Sequence, residues 1–223
     1  MNYRNNEDER QEEFSEIPPV EIEIHDRNAI VWLESEVCGE TIDPIVKFII
    51  QENITPALDS ITIFIDSPGG DLSAAWKLID IIQLSRIKIR TIGIGGVMSA
   101  ALLILMGGHE RLLSINTEVM SHQPTFNTSN FSAKLNDFDS YTQMFGKMFT
   151  KVSAYYSKHT GLKDKDLKKV LLGTSDEWLT AEEAVGYGFA DGIIQDLGIG
   201  FWDLFVTPKE TVESEQLLQN TED

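Results

Sequence analysis

The chain has 223 residues, 42% hydrophobic and 24% charged, with a formal net charge of −18. That size and balance fit one globular domain with its own core, and the acidity argues against nucleic-acid binding, which needs a basic footprint. Cys38 is the single cysteine, so no intrachain disulfide is possible and a reducing, cytoplasmic setting is expected; no apolar run approaches the ~20 residues of a membrane span, and the acidic start lacks the apolar region of a secretory signal.

Residues 1–17, dense in Glu, Asp and Asn, read as a flexible acidic arm that ends at Pro18-Pro19. A folded body of 18–199 and a tail of 200–223, aromatic at its start and acidic at its end, complete the division. "AIVWL" reads as a strand, and "DPIVKFIIQENI" as a helix with Asp43 as N-cap and Pro44 in first position. "SITIFID" is a buried strand, and "SPGG" turns the chain into a helix whose Leu72, Ala75, Trp76, Ile79 and Ile82 form one apolar face. The strand "IKIRTIGIG" is followed by "SAALLILM", a helix apolar all round and so expected to be buried. Two short strands, "ERLLSI" and "EVMSH", precede a long helical pattern over about 131–159 and a shorter one over 164–172. The long helix carries more apolar surface than one neighbour needs, so it is expected to project. Thr180 and Glu183 form a capping box, Gly188 suits the position after that helix, and "DGIIQ" is a last strand. Strands alternate with helices, which makes this an α/β protein with crossover units.

Ser99 stands where a strand turns into a helix, a place that presents a hydroxyl outward beside unpaired N–H groups. Serine is also a favoured helix cap, and both readings stand at this point. Gly69-Gly70 at the start of the preceding helix allow backbone N–H groups to face a ligand and hold an oxyanion, unless they form an ordinary turn. Of four histidines, His25 and His109 read as surface residues, and His159 as a cation at a helix C-terminus. Only His122 leaves a buried-looking strand directly into a polar segment, as a general base should. An acid must orient the imidazole; Asp176 and Glu177 both qualify on the residues alone, while Glu183 is engaged in its cap.

Together these stretches resemble the ClpP family of serine peptidases. "FIDSPGGDLSAAWKLIDII" is similar to that family's SPGG turn, "GIGGVMSAALLILMGG" to its nucleophile turn, "VMSHQP" to its histidine motif and "DEWLTAEEAVGYGFADGII" to its acid loop and last unit. The likeness runs from about Ala29 to Ile194. It implies a spiral of ββα units of the ClpP/crotonase-like kind with a projecting handle helix. It implies Ser99 as nucleophile, His122 as base, Asp176 rather than Glu177 as orienting acid, and the Gly70 and Ala100 amides as oxyanion donors. It further implies polypeptide substrates, a heptameric ring, possibly two rings stacked, and an AAA+ unfoldase partner. No metal or organic cofactor is implied, and ATP would enter only through that partner.

The likeness has departures. The glycine usual two residues after the nucleophile is Ala101, and "TFNTSNFSAK" replaces a glycine-rich strand that holds substrate and joins rings. Ser175 replaces an arginine that pairs across rings, and the acidic arm replaces an axial-pore hairpin. The chain reads as a divergent member. The alternatives are a silent or accessory subunit, a crotonase-type acyl-CoA enzyme, which needs no Ser-His-Asp set, and a Ser-Lys peptidase, which leaves "SHQP" unexplained.

Overall fold

Three strands rich in β-branched residues, β2 (Asn28–Leu33), β3 (Ser60–Ser67) and β4 (Lys88–Met98), pair in parallel because a helix separates each from the next. These helices are α1 (Gly39–Ile54) and α2 (Leu72–Leu84). The computed structural model describes residues 20–125 and 135–194; the expected acidic arm, the tail and most of the segment after "HQP" lie outside the described residues.

Strand alternation divides the sheet into two faces. Ala29, Val31, Leu33, Ile61, Ile63, Ile65 and Ile89 are buried against Ile42, Ile45 and Ile49 of α1 and Leu78 and Ile82 of α2. On the opposite face Ile30, Phe64 and Ile92 form a smaller cluster, where Trp32 stacks on Phe64 with ring centroids 4.6 Å apart. The sheet continues through β5 (Glu110–Ser114) to β8 (Gly192–Ile194), and at its other end β1 (Ile22–His25) pairs antiparallel with β2.

A second branch leaves the sheet at β4. Its first half pairs with β5, whereas Gly96, Val97 and Met98 pair with Glu118, Val119 and Met120 of β6 (Glu118–Ser121). β7 (Glu177–Leu179) then pairs antiparallel with β6. Between β4 and β5 lies α3 (Ala100–Gly107), every residue of which is buried, as its all-apolar sequence requires. α5 (Asp164–Val170) and α6 (Ala181–Tyr187) complete the body. α6 has the expected box: Thr180 N–H donates to Glu183 Oε2 at 2.9 Å and Glu183 N–H to Thr180 Oγ1 at 3.2 Å. Gly188 closes α6 with φ 86°.

The long helix α4 (Leu135–Thr160) does two things along its length. From 138 to 151 it has no buried residue, with Phe138 52% and Met144 41% exposed, while Val152, Ser153 and Tyr156 are buried. Among the described residues no helix is long and apolar enough to cross a membrane.

Two expectations need correction. α1 begins at Gly39, not at Pro44, because Thr41 organises an earlier turn: its hydroxyl accepts from the Cys38 amide at 3.1 Å and donates to the Glu36 carbonyl at 2.8 Å. Pro44 then stands inside the helix, early enough that its missing N–H costs only one bond near the first turn. His159 is not a cation at the end of α4. Burial, and then Arg111 and Lys158, push its pKa down to about 4, against a smaller upward pull from Asp191. Arg111 has no acceptor, so it donates to His159 Nδ1 across 3.0 Å, and it also pairs with Asp191. β1 and β7 are strands that the sequence pattern did not suggest.

A neutral His159 makes stability depend on pH. Unfolded, it takes up a proton near its ordinary value of 6.5; folded, it refuses one until about pH 4. The unfolded state therefore binds more protons between those values, and stability falls as pH drops through that window. Urea titrations at stepped pH should show this fall, and His159→Gln should flatten its upper part, from pH ~6.5 to ~5, before carboxylates titrate.

Candidate active site

β4 and β3 do not advance together. Ile65 pairs with Gly93, but the next rung joins Ser67 to Val97, so β4 bulges. The Asp66 carboxylate fills the bulge and accepts from the Gly96 amide at 2.8 Å. Beyond it β4 turns towards β6 and ends at Ser99, whose N–H donates to the Met120 carbonyl at 2.9 Å. Ser99 has φ 52° and ψ −120°, dihedrals that glycine ordinarily fills. A serine held there stores strain, a feature that clusters at functional sites.

Of the two readings of Ser99, the geometry bears on the cap. Ser99 occupies the N-cap position of α3, yet its side chain makes no capping hydrogen bond. Its Oγ lies 2.6 Å from Nε2 of His122, which follows the end of β6. Both are half-buried. The pair thus sits at the carboxyl ends of two adjacent parallel strands, where β4 leaves one neighbour for another, a usual place for ligands in α/β sheets.

The SPGG turn is laid directly on this elbow. Ser67 holds it from below, donating to the Ser35 carbonyl at 2.6 Å and accepting from the Gly69 amide at 3.2 Å. Gly69 has φ 91°, and a Cβ there would lie 2.6 Å from the Met98 carbonyl oxygen and 2.8 Å from the Ser99 Cβ. The absence of a side chain is what lets the turn touch the elbow. Val37 bridges to Gly70, accepting from the Asp71 amide at 2.6 Å and donating to the Gly69 carbonyl at 2.7 Å. The amides of Gly70 and Ala100 have no acceptor among the described residues, and both residues line one cavity with Ser99 and His122.

Asp176 is exposed and makes no hydrogen bond or ion pair among the described residues. It immediately precedes β7, whose ladder with β6 runs Val119 to Leu179, Met120 to Trp178 and Ser121 to Glu177. The next step of that register sets Asp176 opposite His122. His25 and His109 are exposed, as expected, although His109 Nδ1 also accepts from the Ile89 amide at 2.9 Å. Among the described residues no group of His, Cys, Asp and Glu is placed to hold a metal ion.

Sequence reasoning missed three supports. Asp66 stands just before "SPGG" without a visible role until the bulge is seen. Ser121 is buried; its hydroxyl donates to the Leu171 carbonyl at 2.5 Å and accepts from Tyr156 at 3.0 Å, pinning the strand that delivers His122. Tyr156 itself was one apolar position among many on α4; its spacing of four from Val152 was the available signal, since both line the cavity beside Ser99.

A family model described as Clp protease matches residues 21–196. An "ATP-dependent Clp protease proteolytic subunit 1" of Leifsonia xyli is 31% identical over 75% of this chain and 83% of its own length. An "ATP-dependent Clp protease proteolytic subunit 2" of Treponema denticola is 32% identical over 74% of this chain and 82% of its own. One of the same description from Tropheryma whipplei is 30% identical over 74% and 89%.

The elbow strain is measurable. A positive φ of this kind costs ~1–3 kcal/mol in a residue with a Cβ, while glycine costs ~0.4–1 kcal/mol in unfolded-state entropy. Strain outweighs that entropy, so Ser99→Gly should be more stable than Ser99→Ala by about 1 kcal/mol, a thermal midpoint ~2–4 °C higher. Equal midpoints would mean that the elbow is relaxed.

Proposed function

The chain belongs to the Clp protease family, and from that premise we propose that it is a serine endopeptidase using Ser99, His122 and Asp176. The observation that carries this reading is the 2.6 Å approach of Ser99 Oγ to His122 Nε2 from an elbow where the serine does not cap its helix. Ser99 Oγ attacks the substrate carbonyl while its proton passes to His122 Nε2. The carbonyl oxygen becomes an oxyanion held by the Gly70 and Ala100 amides, donors of a kind worth ~3 kcal/mol each. Collapse breaks the C–N bond, and His122 returns the proton to the leaving amine. Water then adds to the acyl-enzyme with His122 again as base, and Ser99 is released with its proton.

Asp176 is favoured over Glu177 by strand alternation. Ser121 and Glu177 are opposed across the β6–β7 ladder, so their side chains share one face, and the next rung, His122 with Asp176, takes the other. An aspartate there would, on accepting from Nδ1–H, hold the imidazole in the tautomer that leaves Nε2 free to accept. No metal or organic cofactor enters the reading.

The relatives are described as proteolytic subunits of an ATP-dependent protease. By that likeness this chain is the proteolytic component of a cytoplasmic Clp-type assembly: a heptameric ring of copies fed with polypeptide by an AAA+ unfoldase. The stretch of α4 from 138 to 151, which holds no fully buried residue, contributes a face for neighbouring copies.

A fluorophosphonate probe should label Ser99, and Ser99→Ala should abolish labelling. Asp176→Asn should lower turnover of a fluorogenic peptide by about 10⁴ at most, with Glu177→Gln nearly neutral. The reverse ranking would place the acid one residue on.

Charge governs the assembly. Each copy carries −18, so stacking rings brings large like charges together. Apolar burial along α4 is not weakened by salt. A single ring should therefore persist in sedimentation velocity from ~0.01 M to ~0.3 M salt, as the Debye length falls from ~30 Å to below 8 Å, and a stacked pair should appear only at the upper end. A monomer throughout would refute the ring, and equal stacking throughout would refute the charge argument.

A further inference from the structure

The cavity beside Ser99 is small. It measures about 50 Å³, and its apolar lining includes Leu72 of α2, Leu103 of α3, and Val152 and Tyr156 of α4. An apolar cavity of ~150 Å³ accepts a benzene ring, so this one has room for about a third of that. The adjoining groove, which also contains Ser99 and His122, is far larger at about 560 Å³, so the restriction is local to the pocket and not to the site as a whole.

Tyr156 is the bulkiest of the lining side chains, and it cannot easily move aside. It is 2% exposed, and its ring meets Phe189 edge to face at 5.2 Å. Its hydroxyl lies 3.0 Å from Ser121 Oγ, whose own proton is committed to the Leu171 carbonyl at 2.5 Å. The phenol must therefore donate to Ser121, and swinging the ring out would give up both that bond and the contact with Phe189. Burial also pushes the Tyr156 pKa up to about 12, so it remains a neutral phenol that donates. Leu103 and Val152, which also line it, are 2% and 3% exposed and fixed in the core.

We infer that Tyr156 is a specificity-determining residue: it closes the pocket that receives the side chain on the acyl side of the cleaved bond and restricts that side chain to small ones such as Ala, Ser or Cys. This rests on the peptidase reading, since the pocket is identified by its place beside Ser99 and the Gly70 and Ala100 amides. Each methylene beyond what an apolar pocket accepts changes discrimination by roughly 10–200-fold.

The test uses the full chain and fluorogenic peptides that differ only in the residue before the leaving group, Ala against Leu. The wild type should favour Ala in kcat/KM by at least ~10-fold. Tyr156→Leu, which removes the ring, should shift the ratio towards Leu by a comparable factor. Tyr156→Phe keeps the ring and should keep the ratio. Fluorophosphonate labelling of Ser99 verifies that each variant retains an assembled site. A wild type that cleaves after Leu as well as after Ala overturns the inference, even where Tyr156→Leu does not fold. So does a labelled Tyr156→Leu with an unchanged ratio, and so does a Tyr156→Phe that accepts Leu, since a hydroxyl and not the ring would then be the gate. A wild type in which Ser99 takes no label refutes the peptidase reading itself, and the pocket assignment with it.

Discussion

The structure turns on the bulge in β4. A parallel strand that stayed in register would keep β5 beside it to its end, and no second branch would form. Instead Gly96 gives its amide to the Asp66 side chain, and the backbone pairing of β4 passes from β5 to β6. A single carboxylate thus replaces a ladder bond at the point where the sheet divides. Ser99 and His122, the ends of the two strands joined beyond that point, are brought together by this ladder and not by any loop between them.

Strain at Ser99 is tolerable because its surroundings leave it no other conformation. On one side the Ser99 amide is bonded to Met120; on the other, α3 begins at once and is buried along its whole length. Above lies Gly69, close enough that a methyl group would collide with the elbow. Burial of α3 is worth ~1.5–3 kcal/mol for each large side chain, so it outweighs the ~1–3 kcal/mol stored in one backbone angle. The same rigidity fixes the Ala100 amide relative to Gly70, which is what an oxyanion site requires, since donors that must reorganise lose most of their value.

The sequence carried most of this in readable form, and what it concealed has a common cause. α3 was legible because eight apolar or small residues in a row have no surface to face. The capping box of α6 was legible because its bonds lie within one turn. Ser99 and His122 were singled out by the boundaries they occupy, although cap and nucleophile are indistinguishable until the partner of Oγ is known. By contrast, β7 is three residues long and one-sided, so no period can reveal it, and it exists only because β6 offers an edge. The start of α1 was hidden because Thr41, not the expected Asp43, makes the decisive local bonds. His159 was misread because the fold half-buries it and brings Arg111 to it from 48 residues away. Apart from β1, which pairs locally with β2, each miss is a long-range contact or a competing cap, and local propensity is blind to both.

Helix α4 joins the two parts of the molecule that the functional reading needs. Its last turns wall the cavity with Val152 and Tyr156, and Tyr156 grips Ser121, the residue before His122. Its earlier turns, from 138 to 151, hold no fully buried residue, although Phe149 packs against the core and Lys151 lies over the Trp76 ring. A helix is stiff over this length, so a neighbour packed on the outer turns would fix the direction in which the inner turns meet the cavity. That is a constraint on position, and it becomes regulation only where the bound and free helix differ in energy between two arrangements. The arrangement most sensitive to it is the step from β6 to β7, whose ladder ends at Ser121 and Glu177 and leaves the His122–Asp176 rung unbonded. Ser121 is common to that ladder and to the grip of Tyr156, so a shift of α4 bears first on the one rung that the isolated chain leaves open.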